Sequence, residues 1–239
     1  MLRILLLTVH VVVASVIGLI IGLCRPFNPD NSRLCARVYA IPALRIMGIQ
    51  MELQIGDLIQ HQRPAVIVAN HLSNHDLFVF GRVLPVRTVS LGKKSLKWIP
   101  LFGQLYWLAG NVLIDRGNAM QAKRAMTTTT DTLQQKDMSL WVFAEGTRSH
   151  GKGLGPFKKG AFQMAINAGV PIILVCANNY TRTINLNRWR GGRVILRALP
   201  PIPTEGLTMD DLPDLMAKCH AQMAACVDEL DRLTATSAA

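Results

Sequence analysis

Between residues 65 and 198 the chain alternates two kinds of segment, and few architectures accommodate both. Short runs rich in β-branched residues, "AVIVAN", "RTVSL", "NVLID", "SLWVFAEG", "VPIILVCAN" and "GRVILRAL", have strand length and are bounded by turn residues. Between them lie "NHDLFVFGRVL", "SLKWIPLFGQLYWLAG" (interrupted by Pro100 and Gly103), "GNAMQAKRAMTTTTDTLQQK" and "GAFQMAINAG", which have helical character. Strands separated by helices predict an α/β fold: a mostly parallel open sheet flanked by helices. A closing helix is expected where Leu212, Leu215, Met216, Cys219, Met223, Val227 and Leu230 recur at helical spacing, with Thr208 and Asp211 as a capping box.

Ahead of this domain, residues 4–23 form an uncharged apolar run. As a helix it is about 30 Å long, the thickness of a hydrocarbon core. No A-x-A cleavage site follows it, so a retained membrane helix fits better than a signal peptide. Arg25, Arg33, Arg37 and Arg45 follow the run against Arg3 before it, which places the remaining chain on the cytoplasmic face of the membrane. The stretch from Asn31 onward mixes arginines with Leu34, Val38, Ile41, Leu44 and Met47, predicting a second, amphipathic helix that Pro42 kinks or cuts. An interfacial helix and an ordinary core helix are equally compatible with that pattern. The expected division is an anchoring helical segment over 1–50 and an α/β domain over 51–239.

Charge agrees with a membrane setting. Lys and Arg number 26 against 15 Asp and Glu, a formal net charge of +11, while half of all residues are hydrophobic. Such a balance favours acidic partners. Aromatic residues make up only 6% and no long basic run occurs, which excludes a typical nucleic-acid binder. The five cysteines are scattered, without metal-ligand spacing or a disulfide framework.

Chemistry concentrates in "NHLSNHD", residues 70–76. His71 falls at the carboxyl end of the first strand of the domain, where open α/β sheets place their ligands. Asp76 falls in the first turn of the next helix. On one continuous helix the two side chains point about 140° apart; across a strand-to-helix turn they can meet, the carboxylate fixing the tautomer and leaving the other ring nitrogen as a base. Ser73 is close in sequence, but no nucleophile is placed for a triad. A His–Asp pair of this kind suits direct deprotonation of a substrate hydroxyl; a satisfied polar turn without chemistry is the plain alternative. "GNVLIDR" places Arg116, and "FAEGTRS" places Arg148, after two further strands. A base beside two guanidinium groups suits a hydroxyl near a phosphate.

N-H-x-x-x-x-D, G-x-x-x-x-x-R, E-G-T-R and V-P-I, in that order and spacing, resemble the glycerolipid acyltransferase family over nearly the whole chain. The resemblance implies His71 as general base with Asp76 orienting it, and Arg116, Glu145, Gly146, Thr147 and Arg148 binding substrate, with Lys93 and Lys158 as further contacts. It implies transfer of an acyl group from acyl-ACP or acyl-CoA to the sn-2 hydroxyl of lysophosphatidic acid, making phosphatidic acid, without metal or bound cofactor. Membrane lipid and an acyl carrier protein or CoA thioester are the implied partners, with no nucleic acid among them. Rivals are acylation of another lyso-lipid or of glycerol 3-phosphate, thioester hydrolysis, and a non-enzymatic adaptor for anionic lipid. Part of the apolar stretch from Trp98 to Leu108 is expected either to form an acyl tunnel or to sit in the membrane, with core packing as the alternative.

Overall fold

The computed structural model describes residues 1–56, 64–115, 130, 133 and 135–236. The chain forms two units: Met1–Met47 with Asp76–Leu140, and Gly48–His75 with Trp141–Ala239.

In the first unit the apolar run forms helix α1 (Leu2–Cys24) and the next segment forms α2 (Asn31–Met47). The side of α1 that is buried is made of small residues, Ala14, Ser15, Gly18 and Gly22. A Cβ at Gly22 would sit 2.8 Å from Leu108 Cβ, so only glycine permits this approach of α1 to helix α4 (Phe102–Leu108). The polar interruptions of the run are also accounted for: His10 Nε2 lies 2.9 Å from the Tyr39 carbonyl oxygen, and Ser15 Oγ lies 2.5 Å from the Tyr39 hydroxyl. Burying these groups bonded removes the penalty of placing them in an apolar helix. The opposite side of α1, including Ile4, Leu5, Val9, Val12, Val16 and Ile20, is exposed.

Helix α2 is continuous across Pro42, so the chain is not cut there. Proline removes one intrahelical bond, and the buried side chains on both sides of it, Tyr39, Ala40, Ala43 and Leu44, hold the halves together. Its buried face is this set with Cys35 and Met47, while Leu34, Val38 and Ile41 are only half-buried. The unit continues with α3 (Asp76–Gly81), β3 (Thr88–Lys93), a 3₁₀ turn (Lys94–Trp98), α4 and β4 (Val112–Ile114), with β3 and β4 parallel. From the stretch around α4, Leu105 is buried, whereas Trp98 and Trp107 are 76% and 55% exposed, too open for a packed core segment. The polar helix expected over 117–136 falls almost entirely outside the described residues.

β5 (Ser139–Phe143) carries the chain from the first unit into the second, whose sheet has the order β1-β7-β6-β2-β5. Here β1 is Ile49–Gln54, β2 is Val66–Ala69, β6 is Ile172–Ala177 and β7 is Gly192–Ala198. β1 pairs with β7 and β2 with β6 in parallel, while β6 and β7 are antiparallel. Every residue of β2 and β6 is buried, as expected for strands covered on both faces. α5 (Gly160–Ala168) packs on β2, and α6 (Leu212–Thr236) packs on β6 and β7. The capping box is present: the Thr208 N–H donates to Asp211 Oδ2 at 2.8 Å. The architecture is α/β, with a mostly parallel, mixed sheet flanked by helices, as the segment pattern predicts.

β1 lies where the sequence pattern predicts no strand. Gly48, with φ of 67°, ends α2, and the alternation Ile49, Met51, Leu53 against Gln50, Glu52, Gln54 then has period two. Those two signals mark the strand, but reading the helical stripe onward across Gly48 hides them.

Candidate active site

The site grows from the end of β2. Ala69 lies opposite Val175 in the parallel β2–β6 pair, so the chain leaves both strands at the same edge of the sheet. Asn70, the residue after β2, closes that edge with its side chain. Its Nδ2 donates to the Ala177 carbonyl at 2.9 Å and its Oδ1 accepts from the Ala177 N–H at 2.9 Å. The amide thereby imitates one more residue of strand pairing, which fixes where His71 begins.

His71 is then held on three sides. Its N–H donates to Glu145 Oε1 at 2.7 Å, and its carbonyl accepts from the Ser149 N–H at 2.8 Å. Its imidazole stacks on Phe143 at the end of β5, with centroids 4.2 Å apart and planes 16° from parallel. The Leu72 carbonyl accepts from the His150 N–H at 3.0 Å, so the loop after β5 is laced to the loop after β2. Gly146 makes that loop possible: its φ of 72° is left-handed, and its N–H reaches back to the Phe143 carbonyl at 3.1 Å.

Glu145 is buried, and its other oxygen is also engaged, since Gly155 N–H donates to Oε2 at 2.8 Å. A Cβ at Gly155 would come within 2.9 Å of that oxygen, so the approach needs glycine. The Gly155 carbonyl in turn lies 3.2 Å from His220 Nε2 on α6. One carboxylate therefore ties the His71 backbone to the glycine-rich segment 151–155 and, through it, to the last helix. Arg148 is exposed beside them and donates from Nη1 to Asn74 Oδ1 at 2.5 Å. Ser73 Oγ accepts from the His75 N–H at 3.0 Å and lies 3.3 Å from the Tyr180 hydroxyl, which shapes the turn. What results is a half-buried imidazole on a rigid backbone with a guanidinium on the neighbouring loop. An imidazole and a guanidinium share one sheet edge.

Comparison with known proteins gives the family. The family described as Acyltransferase matches residues 50–177. The chain belongs to the acyltransferase family. It is 40% identical to the 1-acyl-sn-glycerol-3-phosphate acyltransferase of Haemophilus influenzae over 97% of this chain and 96% of that one. The enzyme of the same name from Escherichia coli K12 is 39% identical over 96% of this chain and 94% of its own length. The human 1-acyl-sn-glycerol-3-phosphate acyltransferase alpha is 34% identical over 90% of this chain and 77% of its own. A crystal structure of the Thermotoga maritima 1-acyl-sn-glycerophosphate acyltransferase superposes with a TM-score of 0.71 over 96% of both chains at 21% identity, a likeness of fold.

The acyltransferase motifs lie as follows. His71, Glu145, Gly146, Thr147 and Arg148 are gathered at the β2–β5 edge of the second unit, with Thr147 and Arg148 exposed. Lys158 is exposed, and its N–H donates to the Ala144 carbonyl at 2.7 Å, which brings its backbone next to the same loop. In the first unit, Asp76 is the buried first residue of α3, and Lys93 is the exposed last residue of β3. Arg116 lies outside the described residues. Among the described residues no group of three or more His, Cys, Asp and Glu side chains could hold a metal ion. The sequence pattern does not mark Asn70, Gly155 and His220 as supports of this edge. Asn70 had a signal, an amide at the end of a buried strand; His220 is distant in sequence and had none.

Proposed function

We propose that the protein transfers a fatty acyl group from an acyl-ACP or acyl-CoA thioester to the sn-2 hydroxyl of 1-acyl-glycerol 3-phosphate. The products are phosphatidic acid and the free thiol of the donor. The observation that carries this reading is identity of about two residues in five, nearly end to end, with enzymes named for that reaction, on a chain that locks His71 and Arg148 to one edge.

The steps follow from the groups present. His71 takes the proton of the sn-2 hydroxyl, and the oxygen attacks the thioester carbonyl. Collapse of the tetrahedral intermediate expels the thiolate, which recovers the proton. General base catalysis of this kind contributes about 10²–10⁴ in rate. Asp76, buried at the start of α3, orients His71 and fixes its tautomer. Arg148 and Arg116 hold the acceptor phosphate, with Thr147, Lys93 and Lys158 at its margin. Glu145 acts on His71 through the backbone, and Gly146 shapes the turn. The α1 face bearing Ile4, Val9, Val12, Val16 and Ile20 enters the bilayer, and the arginines that follow keep the enzyme on the cytoplasmic side. A lipid acceptor then reaches the site without crossing water.

The test is acyl transfer by purified full-length protein over a panel of lyso-lipid acceptors, with acyl-ACP and acyl-CoA offered separately. Lysophosphatidic acid should be the preferred acceptor. Preference for a phosphate-free acceptor or for water would refute the reading.

A further inference from the structure

Three arginines of the first unit lie near one another, and no acid among the described residues pairs with them. Arg33 and Arg37 are four positions apart on α2 and so share one side of the helix. Arg82 directly follows α3, whose last residue, Gly81, abuts α2: a Cβ there would lie 3.0 Å from the Ala36 carbonyl and 3.4 Å from Ala40 Cβ. This close crossing of α2 and α3 delivers Arg82 to the Arg33–Arg37 side. All three are half-buried. Among the described residues none of them forms an ion pair, and Arg37 Nε is a buried donor without an acceptor. Burial pushes the Arg37 guanidinium below its ordinary value, and the charges of Arg33 and Arg82 push it the same way.

A solvated arginine face would leave its donors in water. Here one donor is withdrawn from water, and its neighbours repel it. A buried donor without a partner is destabilising, and like charges add to that cost. An anion bound between the three offsets both terms.

We propose that Arg33, Arg37 and Arg82 form a binding site for a phosphate group, separate from the acceptor site at Arg148. Planar guanidinium forks match tetrahedral phosphate oxygens, and three of them suit a monoester or diester. The phosphate belongs either to a membrane phospholipid held beside α2 or to a soluble phosphate compound. The site stands on the first unit alone and does not depend on the acyl-transfer reading.

Melting of the full-length protein in zwitterionic detergent, free of phosphate and at low salt, tests it. One titration uses inorganic phosphate, and a second uses micelles doped with phosphatidylglycerol. The wild type should gain stability with one of the two, and which one identifies the source. Arg37→Gln should melt no lower than the wild type before any addition, because it removes repulsion and an orphan donor. It should also need about tenfold more of the effective probe for the same gain. Arg82→Gln should behave alike and guards against a folding defect peculiar to Arg37. If both variants respond to both probes as the wild type does, or if neither probe stabilises the wild type, the site does not exist.

Discussion

The backbone N–H of His71 donates to Glu145 Oε1 at 2.7 Å, while Gly155 donates to the other oxygen of the same carboxylate at 2.8 Å. A residue expected from its motif to touch substrate thus also braces the His71 backbone. Glu145→Gln turns one of these acceptors into a donor facing an N–H. It should lower kcat by about ten- to a hundredfold with little change in acceptor KM, and lower stability by about 1–3 kcal/mol. A raised KM with unchanged kcat would instead mark direct substrate contact.

Asn70 and Ala177 exchange two buried hydrogen bonds at the end of the β2–β6 pair. Asn70→Ala leaves both Ala177 groups without partners and should cost about 2–4 kcal/mol. Asn70→Asp keeps the acceptor but turns a carboxylate on the Ala177 carbonyl, and should be at least as damaging at neutral pH. Denaturant midpoints of both variants check this.

Arg148 is exposed and carries one bond to Asn74, so its removal costs the fold little. Arg148→Ala should weaken lysophosphatidic acid at least tenfold while leaving monoacylglycerol nearly unaffected. Equal losses on both acceptors, measured as kcat/KM, would assign it a structural role.

Glu52 on β1 is hydrogen-bonded to Arg193 on β7 and to Gln54, and these contacts, the Arg193 bond foremost, hold its carboxyl below the ordinary value of 4.5. A lowered carboxylate stabilises the fold above its ordinary pKa and loses that contribution as pH falls through the lowered one. The pair is well exposed, so solvent screening limits it to about 0.2–1 kcal/mol. Glu52→Gln should therefore be slightly less stable at neutral pH, and its deficit should shrink as acid is added below pH 4.5. A deficit independent of pH would mean that packing, not charge, is lost.

Much of the fold was legible because the central strands β2 and β6 are uniformly apolar. "AVIVAN" is buried throughout and "VPIILVCAN" at every residue but Pro171, as β2 and β6 with their flanks, and Gly169, with φ of 61°, ends α5 where the helical pattern stops. β1 was not, because an edge strand with half-exposed side chains carries a weak apolar signal. At the site, strand ends located His71 and Arg148, since parallel strands deliver their carboxyl ends together. The supports were harder to read: Glu145 serves through two backbone N–H groups, and backbone donors have no sequence signature. Gly155 and His220 join the network through contacts 10 and 65 residues away in sequence, which spacing alone does not reveal.

The most direct test of the catalytic role of His71 is acyl transfer to lysophosphatidic acid by full-length His71→Ala. The ring stacks on Phe143, while the backbone bonds to Glu145 and Ser149 survive the substitution. The variant should melt near the wild type and stay with the membrane, yet transfer about 10²–10⁴-fold more slowly at saturating acceptor and donor. Activity within tenfold of the wild type, in protein that is folded and membrane-bound, would contradict His71 as the base.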